Sequence, residues 1–279
     1  MSVQRTIFGQ YLQTCQYLDL PFTFNKLTTL NTKLEVFGDL DIPPNSVPKL
    51  RYLAIGNGGH TVVTKAGGMV TFRRLPHRAR HAALYNQLPF VMREINNDLS
   101  SEDRARYALR KRETHNGVEY FAYYLKRLTL TEVEPSIQYS VTENGVTTTD
   151  TYVPTNADIN PEPPAFVADG TNVTRAEEMY TEALITVNFN QRDRDEFMEV
   201  VRILYNDEDV SMISELALCS AVDRQVTGDG GVAGNVNYNE AIAVQVNHHI
   251  QVFRSLKEDN NGFTIRINVG ASDPMLIEE

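Results

Sequence analysis

The spacing of hydrophobic and polar positions changes several times along the chain. Up to about Tyr52, short apolar groups alternate with polar ones and the turn Asp41-Ile42-Pro43-Pro44-Asn45 interrupts them, which predicts an irregular segment with little helix. Leu53-Ala54-Ile55, then Gly56-Asn57-Gly58-Gly59-His60, then Thr61-Val62-Val63-Thr64 read as strand, glycine turn and strand. Gly67-Gly68 before Met69-Val70-Thr71-Phe72 reads as a second tight turn in a small antiparallel sheet. Pro76 opens at most a short helix over Ala82-Ala83-Leu84-Tyr85 before Pro89 ends it. Ser100-Ser101-Glu102-Asp103 sets a capping hydroxyl and two acids ahead of Arg104 to Arg110, which predicts a short basic helix. From Val118 the chain is aromatic and β-branched, with Tyr120 and Tyr124 on one strand face and Phe121, Tyr123 and Leu125 on the other, as expected of a strand covered on both sides. Glu143-Asn144-Gly145 before Val146 to Val153 is a hairpin signature.

Pro154, Pro161, Pro163 and Pro164 rule out helix or an interior strand, so residues 154–173 read as an arm or linker, expected to be ordered mainly by another subunit. Beyond it, Ala183, Ile185, Val187 and Phe189 alternate with more polar residues, and Phe263 to Val269 alternates more cleanly; these two strands are expected to pair. Between them three amphipathic helices are predicted. Asp193 or Asp195 would cap Glu196 to Tyr205, Asp209 or Ser211 would cap Met212 to Val222, and Asn239 would cap Glu240 to Leu256. The expected fold class is α+β, with small antiparallel sheets, an irregular N-terminal segment and a C-terminal cluster of about three helices. Its regions are residues 1–153, β-rich with the basic helix, the arm 154–173, and an α+β region 174–279.

Composition narrows the function. No run approaches the ~18 apolar residues of a membrane span. The opening residues lead into Gln10, Gln13 and Gln16 without the apolar core of a secretion signal, which predicts a chain that stays in the cytoplasm where it is made. Two cysteines, Cys15 and Cys219, are too few for a disulfide framework. Charge is segregated: Arg73 to Arg127 holds 12 Lys+Arg against 6 Asp+Glu, a net +6, inside a chain of net −10. That acidic balance argues against sequence-specific nucleic-acid binding and favours contacts between complementary protein surfaces. Arg104, Arg106, Arg110, Lys111 and Arg112 are the predicted interface, meeting acidic surface on a neighbouring subunit.

Candidate chemistry is sparse. The glycine run at Gly56, Gly58 and Gly59 lacks the Lys-Ser/Thr ending of a phosphate loop and leads into β-branched residues, so it reads as a structural turn with positive φ at Gly58 or Gly59. His77 and His81 have metal-ligand spacing, but Arg74, Arg78 and Arg80 crowd them with positive charge. His248 and His249 point about 100° apart on a helix and cannot chelate together. Cys219 reads as a small buried hydrophobe, and Glu177-Glu178 and Asp207-Glu208-Asp209 as capping or solvated acids. No catalytic, cofactor or metal residues are assigned.

The blocks Tyr52 to His60, Leu75-Pro76-His77, Leu88-Pro89-Phe90, Ser214 to Asp223, Tyr238-Asn239-Glu240-Ala241 and Val269 to Pro274 resemble virion structural proteins of tailed bacteriophages. The resemblance covers about a third of the chain. It implies a non-enzymatic virion subunit of the contractile tail or baseplate, made in the host cytoplasm, contacting other virion proteins in several copies of a symmetric assembly, with a neck or connector position as the alternative. A rival from another class is a soluble enzyme with a site assembled from His60, His115 and Asp223.

Overall fold

The computed structural model describes residues 2–162, 175–257 and 262–275. Among them lie four α-helices, α1 (Ile7–Tyr17), α2 (Leu30–Leu34), α3 (Ser101–Arg104) and α4 (Gln191–Tyr205). Fourteen strands dominate. They are β1 (Ser2–Arg5), β2 (Lys49–Gly56), β3 (His60–Thr64), β4 (Val70–Arg74), β5 (Gln87–Leu88), β6 (Val91–Glu94), β7 (Tyr107–His115), β8 (Val118–Arg127), β9 (Pro135–Glu143), β10 (Val146–Thr151), β11 (Arg175–Phe189), β12 (Met212–Asp229), β13 (Asn235–Ser255) and β14 (Phe263–Met275). The protein is mostly β, and this overturns the α+β expectation.

Two of the three predicted C-terminal helices are the long strands β12 and β13. Ile213 to Val222 is buried without a break, as are Glu240 to Asn247. A strand covered on both faces carries apolar residues at every position, and such a run satisfies a helical stripe as readily as a strand. Only α4 survives as a helix. Its cap is Asn190, whose side chain accepts from the Asp193 amide while the Asp193 side chain accepts from the Asn190 amide.

Three further expectations change. The N-terminal segment is not irregular: Thr6 caps α1 by accepting from the Gly9 amide, and Gly9, Leu12 and Cys15 form its buried stripe. The basic helix is cut to α3, and from Tyr107 the chain is strand β7, because Tyr107 to Arg110 are buried and pair with β8. The turns at Gly67-Gly68 and Asn144-Gly145 stand where the sequence places them. Asn144 and Gly145 both have positive φ, as a two-residue hairpin loop with this sequence demands.

The chain divides into two compact units, which do not follow the proline stretch. The first comprises residues 1–129 and 189–263, the second residues 130–188 and 264–279. In the first, an antiparallel sheet runs β1-β13-β12-β2-β8-β6, with β5 on β2 and β7 on β8. Alternate residues of its central strands, Tyr52 and Ala54, Ala122 and Tyr124, Ala217 and Cys219, join Leu30 and Leu34 of α2 and Val200 of α4 in one core cluster. β3 and β4 form a separate two-stranded ribbon. The second unit is one sheet in the order β10-β9-β11-β14, and the expected pairing of the two alternating strands is therefore present. Of the predicted arm, residues 163–173 lie outside the described residues. No helix among the described residues is long and apolar enough to cross a membrane.

Candidate functional site

The glycine run leaves the large sheet at the end of its interior strand β2, where it meets Glu215 of β12. In the ladder, Gly56 stands opposite Glu215. The Glu215 side chain is fully buried. Its Oε1 accepts from the Gly58 amide at 3.0 Å and the Asn86 amide at 2.9 Å, and its Oε2 from the Tyr85 amide at 3.0 Å. His77 Nε2 completes the set at 2.8 Å from Oε2. Burial alone would raise the pKa of this carboxyl, but the hydrogen bonds from His77 and the Asn86 and Tyr85 amides outweigh it and hold it below the ordinary Glu value.

Aromatic rings fix His77 in turn. It stacks between His249, at 3.8 Å and 4°, and Tyr85, at 4.2 Å and 19°. A carboxylate can only accept, so His77 carries its proton on Nε2, and its Nδ1 faces His81 Nδ1 at 3.2 Å. His249 Nε2 donates to the His81 carbonyl at 3.0 Å. Burial drives the His249 pKa down to about 4, against the hydrogen bond to the His81 carbonyl and the Glu215 charge, which raise it, while the His77 and His81 rings lower it further. His81 is also lowered, by burial first and then by His77, Arg80 and Arg78. The result is a line of polar groups from a buried carboxylate to a partly exposed imidazole, able to hold a proton in a fixed place.

Its position indicates its mechanical effect. Gly58 and Gly59 immediately precede β3, and His77 follows β4 by three residues. Gly59 donates to Ser214 Oγ at 2.9 Å and accepts from the Leu75 amide at 2.9 Å. Glu215 and Ser214 therefore fasten both feet of the β3–β4 ribbon to β12. The predicted positive φ is absent from Gly56, Gly58 and Gly59. Glycine is required there by close approach instead: a Cβ would lie 2.4 Å from the Asn86 carbonyl oxygen at Gly56, 2.7 Å from the Asn86 nitrogen at Gly58 and 2.5 Å from the Ser214 carbonyl oxygen at Gly59.

Of the five predicted interface cations only Arg104 is on a helix, at the end of α3, and each has an acidic partner within the first unit. Arg104 and Arg110 meet Asp98 at 3.1 and 2.8 Å, Arg106 meets Asp103, Lys111 meets Glu113 at 3.4 Å, and Arg112 meets Glu119 and Asp229 at 2.7 and 2.6 Å. Arg110 is buried, with its guanidinium 3.4 Å from the centre of the Phe121 ring. The residues of the rival enzyme site have separate partners. His60 packs edge-on against Phe72 and Phe253, His115 meets Glu113, and Asp223 meets Arg51 and Arg127. His248 and His249 are strand neighbours, and burial lowers the His248 pKa to about 4 as well. Cys219 is fully buried as expected, but on strand β12.

Sequence reasoning missed Glu215 and a second buried acid, Glu240. The two Glu240 oxygens accept from the Leu109, Arg110 and Ala241 amides, and burial pushes its pKa up to about 7 against those bonds. Leu109 stands at φ 51°, a left-handed conformation rare for leucine, with its amide turned to Glu240. A lone acid inside an apolar run, as in Met212 to Val222, was the available signal, because a buried carboxylate must find donors. No group of three or more His, Cys, Asp or Glu among the described residues is placed to hold a metal ion. Two clefts lie elsewhere in the first unit. One is lined by Phe8, Tyr11, Phe24 and Gln245, the other by Arg93, Arg192, Asp195 and Glu196.

An antiparallel β protein with buried acids as internal clasps is the class these observations define. The family described as a family of unknown function (DUF7208) matches residues 1–279, and the chain belongs to that family. No curated protein and no solved structure matches the chain.

Proposed function

We propose that this chain is a non-enzymatic structural subunit of a tailed-phage particle, in the contractile tail or baseplate, and that it acts through protein–protein contacts. The observation that carries the reading is the β3–β4 ribbon. Val62, Met69, Val70 and Phe72 are 56, 62, 58 and 54% exposed on it, and neither strand has a third neighbour among the described residues. A two-stranded ribbon is marginal by itself, and a cluster of exposed apolar side chains marks a contact site. The clasp at Glu215 supports the same reading, because it holds the ribbon's feet rigid and lowers the entropy lost on docking. The kind of particle comes from the resemblance of the blocks around Tyr52 to His60 and Ser214 to Asp223.

Mass spectrometry and antibody labelling of purified particles test this. The chain is expected in intact virions, in several copies, with label on the tail or baseplate. Label at the head–tail junction would favour the neck position, and absence from the particle would overturn the reading.

A further inference from the structure

The ribbon stands in an unusual charge environment. From Ile42 to Arg93 the chain holds eight cations and no acid. Arg51 and Arg93 find Asp223 and Glu196. Lys65, Arg73 and Arg74 on the ribbon, and Arg78 and Arg80 just after it, are exposed and have no ion-pair partner among the described residues. They contrast with Arg104 to Arg112, all of which are paired. A basic surface, an apolar face of Val62, Val70 and Phe72, and two open strand edges thus coincide on one projection.

The complement is in the same sequence. The second unit holds 13 acids against 2 cations, net −11, while the first holds 23 acids against 24 cations, net +1. Glu132, Glu134, Asp150, Glu162 and Glu178 are exposed and also lack an ion-pair partner among the described residues. β10 is an edge strand of that unit with all six residues exposed, so it too offers an unpaired backbone row.

We infer that the β3–β4 ribbon of one copy docks on the acidic second unit of another copy, so that the chain associates with itself head to tail. This rests on the subunit reading above and names the partner. The two surfaces differ, so the contact is heterologous and continues until it closes a ring or extends as a filament. Opposite charge steers the encounter, and the apolar ribbon face supplies the area buried from water. Duplex nucleic acid is the poorer fit, since the whole chain carries −10.

Sedimentation of the purified full chain tests the inference. At low salt the mass is expected to rise at least twofold above the 31.5 kDa of one chain as concentration increases, and to fall back in about 1 M salt, where charges are screened within ~3 Å. Arg73→Glu with Arg74→Glu is expected to stay a single chain, and so is Glu132→Lys with Glu134→Lys. A 1:1 mixture of the two variants is expected to associate again, because one then supplies an intact ribbon and the other an intact acidic unit. Recovery on mixing also demonstrates that both variants are folded. A wild type that stays at single-chain mass in low salt, a mixture that does not recover, or a short DNA duplex shifted through the same arginines would each overturn the inference. A single-chain protein that is nevertheless found in virions would remove the self-contact and leave the subunit reading standing.

Discussion

Gly59 and Gly67 sit a few residues apart and are glycine for different reasons, which measurement can separate. Gly67 has φ 90° and open space, with nothing within 4 Å of where a Cβ would stand, so alanine there costs only its backbone strain, about 1 kcal/mol. At Gly59 the new carbon would meet the Ser214 carbonyl, and denaturant titration is expected to give a loss of about 2–3 kcal/mol. Glu215→Gln places an amide group against backbone donors and removes the charge that His77 and the loop amides face, with an expected loss of about 2–4 kcal/mol. Acid acts on the same cluster. His249 and His248 have folded pKa values near 4, below the ordinary 6.5, so the unfolded chain binds their protons first. Their contribution is complete above pH 6.5 and is lost as pH falls toward 4, at up to about 3 kcal/mol each. Glu215, held below the ordinary Glu value, adds a loss only at lower pH. Glu240 opposes part of this, because its folded pKa of about 7 lies above the ordinary 4.5 and its contribution grows as pH falls from 7 to 4.5. With two histidines against one acid, thermal melts should be nearly flat from pH 8 to 7 and fall below 6.5, and more steeply in Glu240→Gln. His249→Phe, which keeps a ring beside His77, should flatten that fall.

At the scale of elements, the capping box of α4 is open to direct test. Asn190→Ala is expected to cost about 1 kcal/mol by chemical denaturation. Asp193→Ala should cost more, since that carboxylate also meets Lys126 at 2.6 Å. This helix was legible because its apolar residues, Phe197, Val200, Val201 and Leu204, alternate with charged ones. Its start was misplaced by three or more residues because Asp193 serves as the third helical residue of the box rather than as the cap. Short-range signals were readable for the same reason: Asn144-Gly145 and Gly67-Gly68 need only their own backbone to declare a turn. β12 and β13 were not readable, since their largely apolar runs reflect cover from both sides that only the tertiary fold supplies. The intrachain partners of the predicted interface cations were hidden at another level. The charge of the cations was visible, but Asp98 and Asp229, which neutralise Arg110 and Arg112, come from elsewhere in the chain. Likewise the glycine run was identified as special while its cause, the backbone of Asn86 and Ser214 brought against it by the fold, was not.

For the whole molecule, the two units differ in how much they bury. The first carries most of the core, whereas the described buried apolar side chains of the second include Ile185, Val187, Ile265 and Ile267. Amide hydrogen exchange is expected to be slowest in Leu216–Val222 and Ala241–Val246 and fastest in β10, with the second unit's sheet exchanging before the first unit's. Equal protection across both sheets would contradict that order. The sheet order β13-β12-β2 also has a consequence for synthesis on the ribosome. β2 is made early, but its neighbour β12 begins only at Met212. At ~5–20 residues per second, β2 waits roughly ten to thirty seconds with an apolar edge open to its surroundings. β9, β10 and β11 are consecutive and can zip together during that wait, while β14, which completes their sheet, is made last; three strands of the acidic sheet are thus expected to pair while the nascent larger one still needs protection from neighbouring chains.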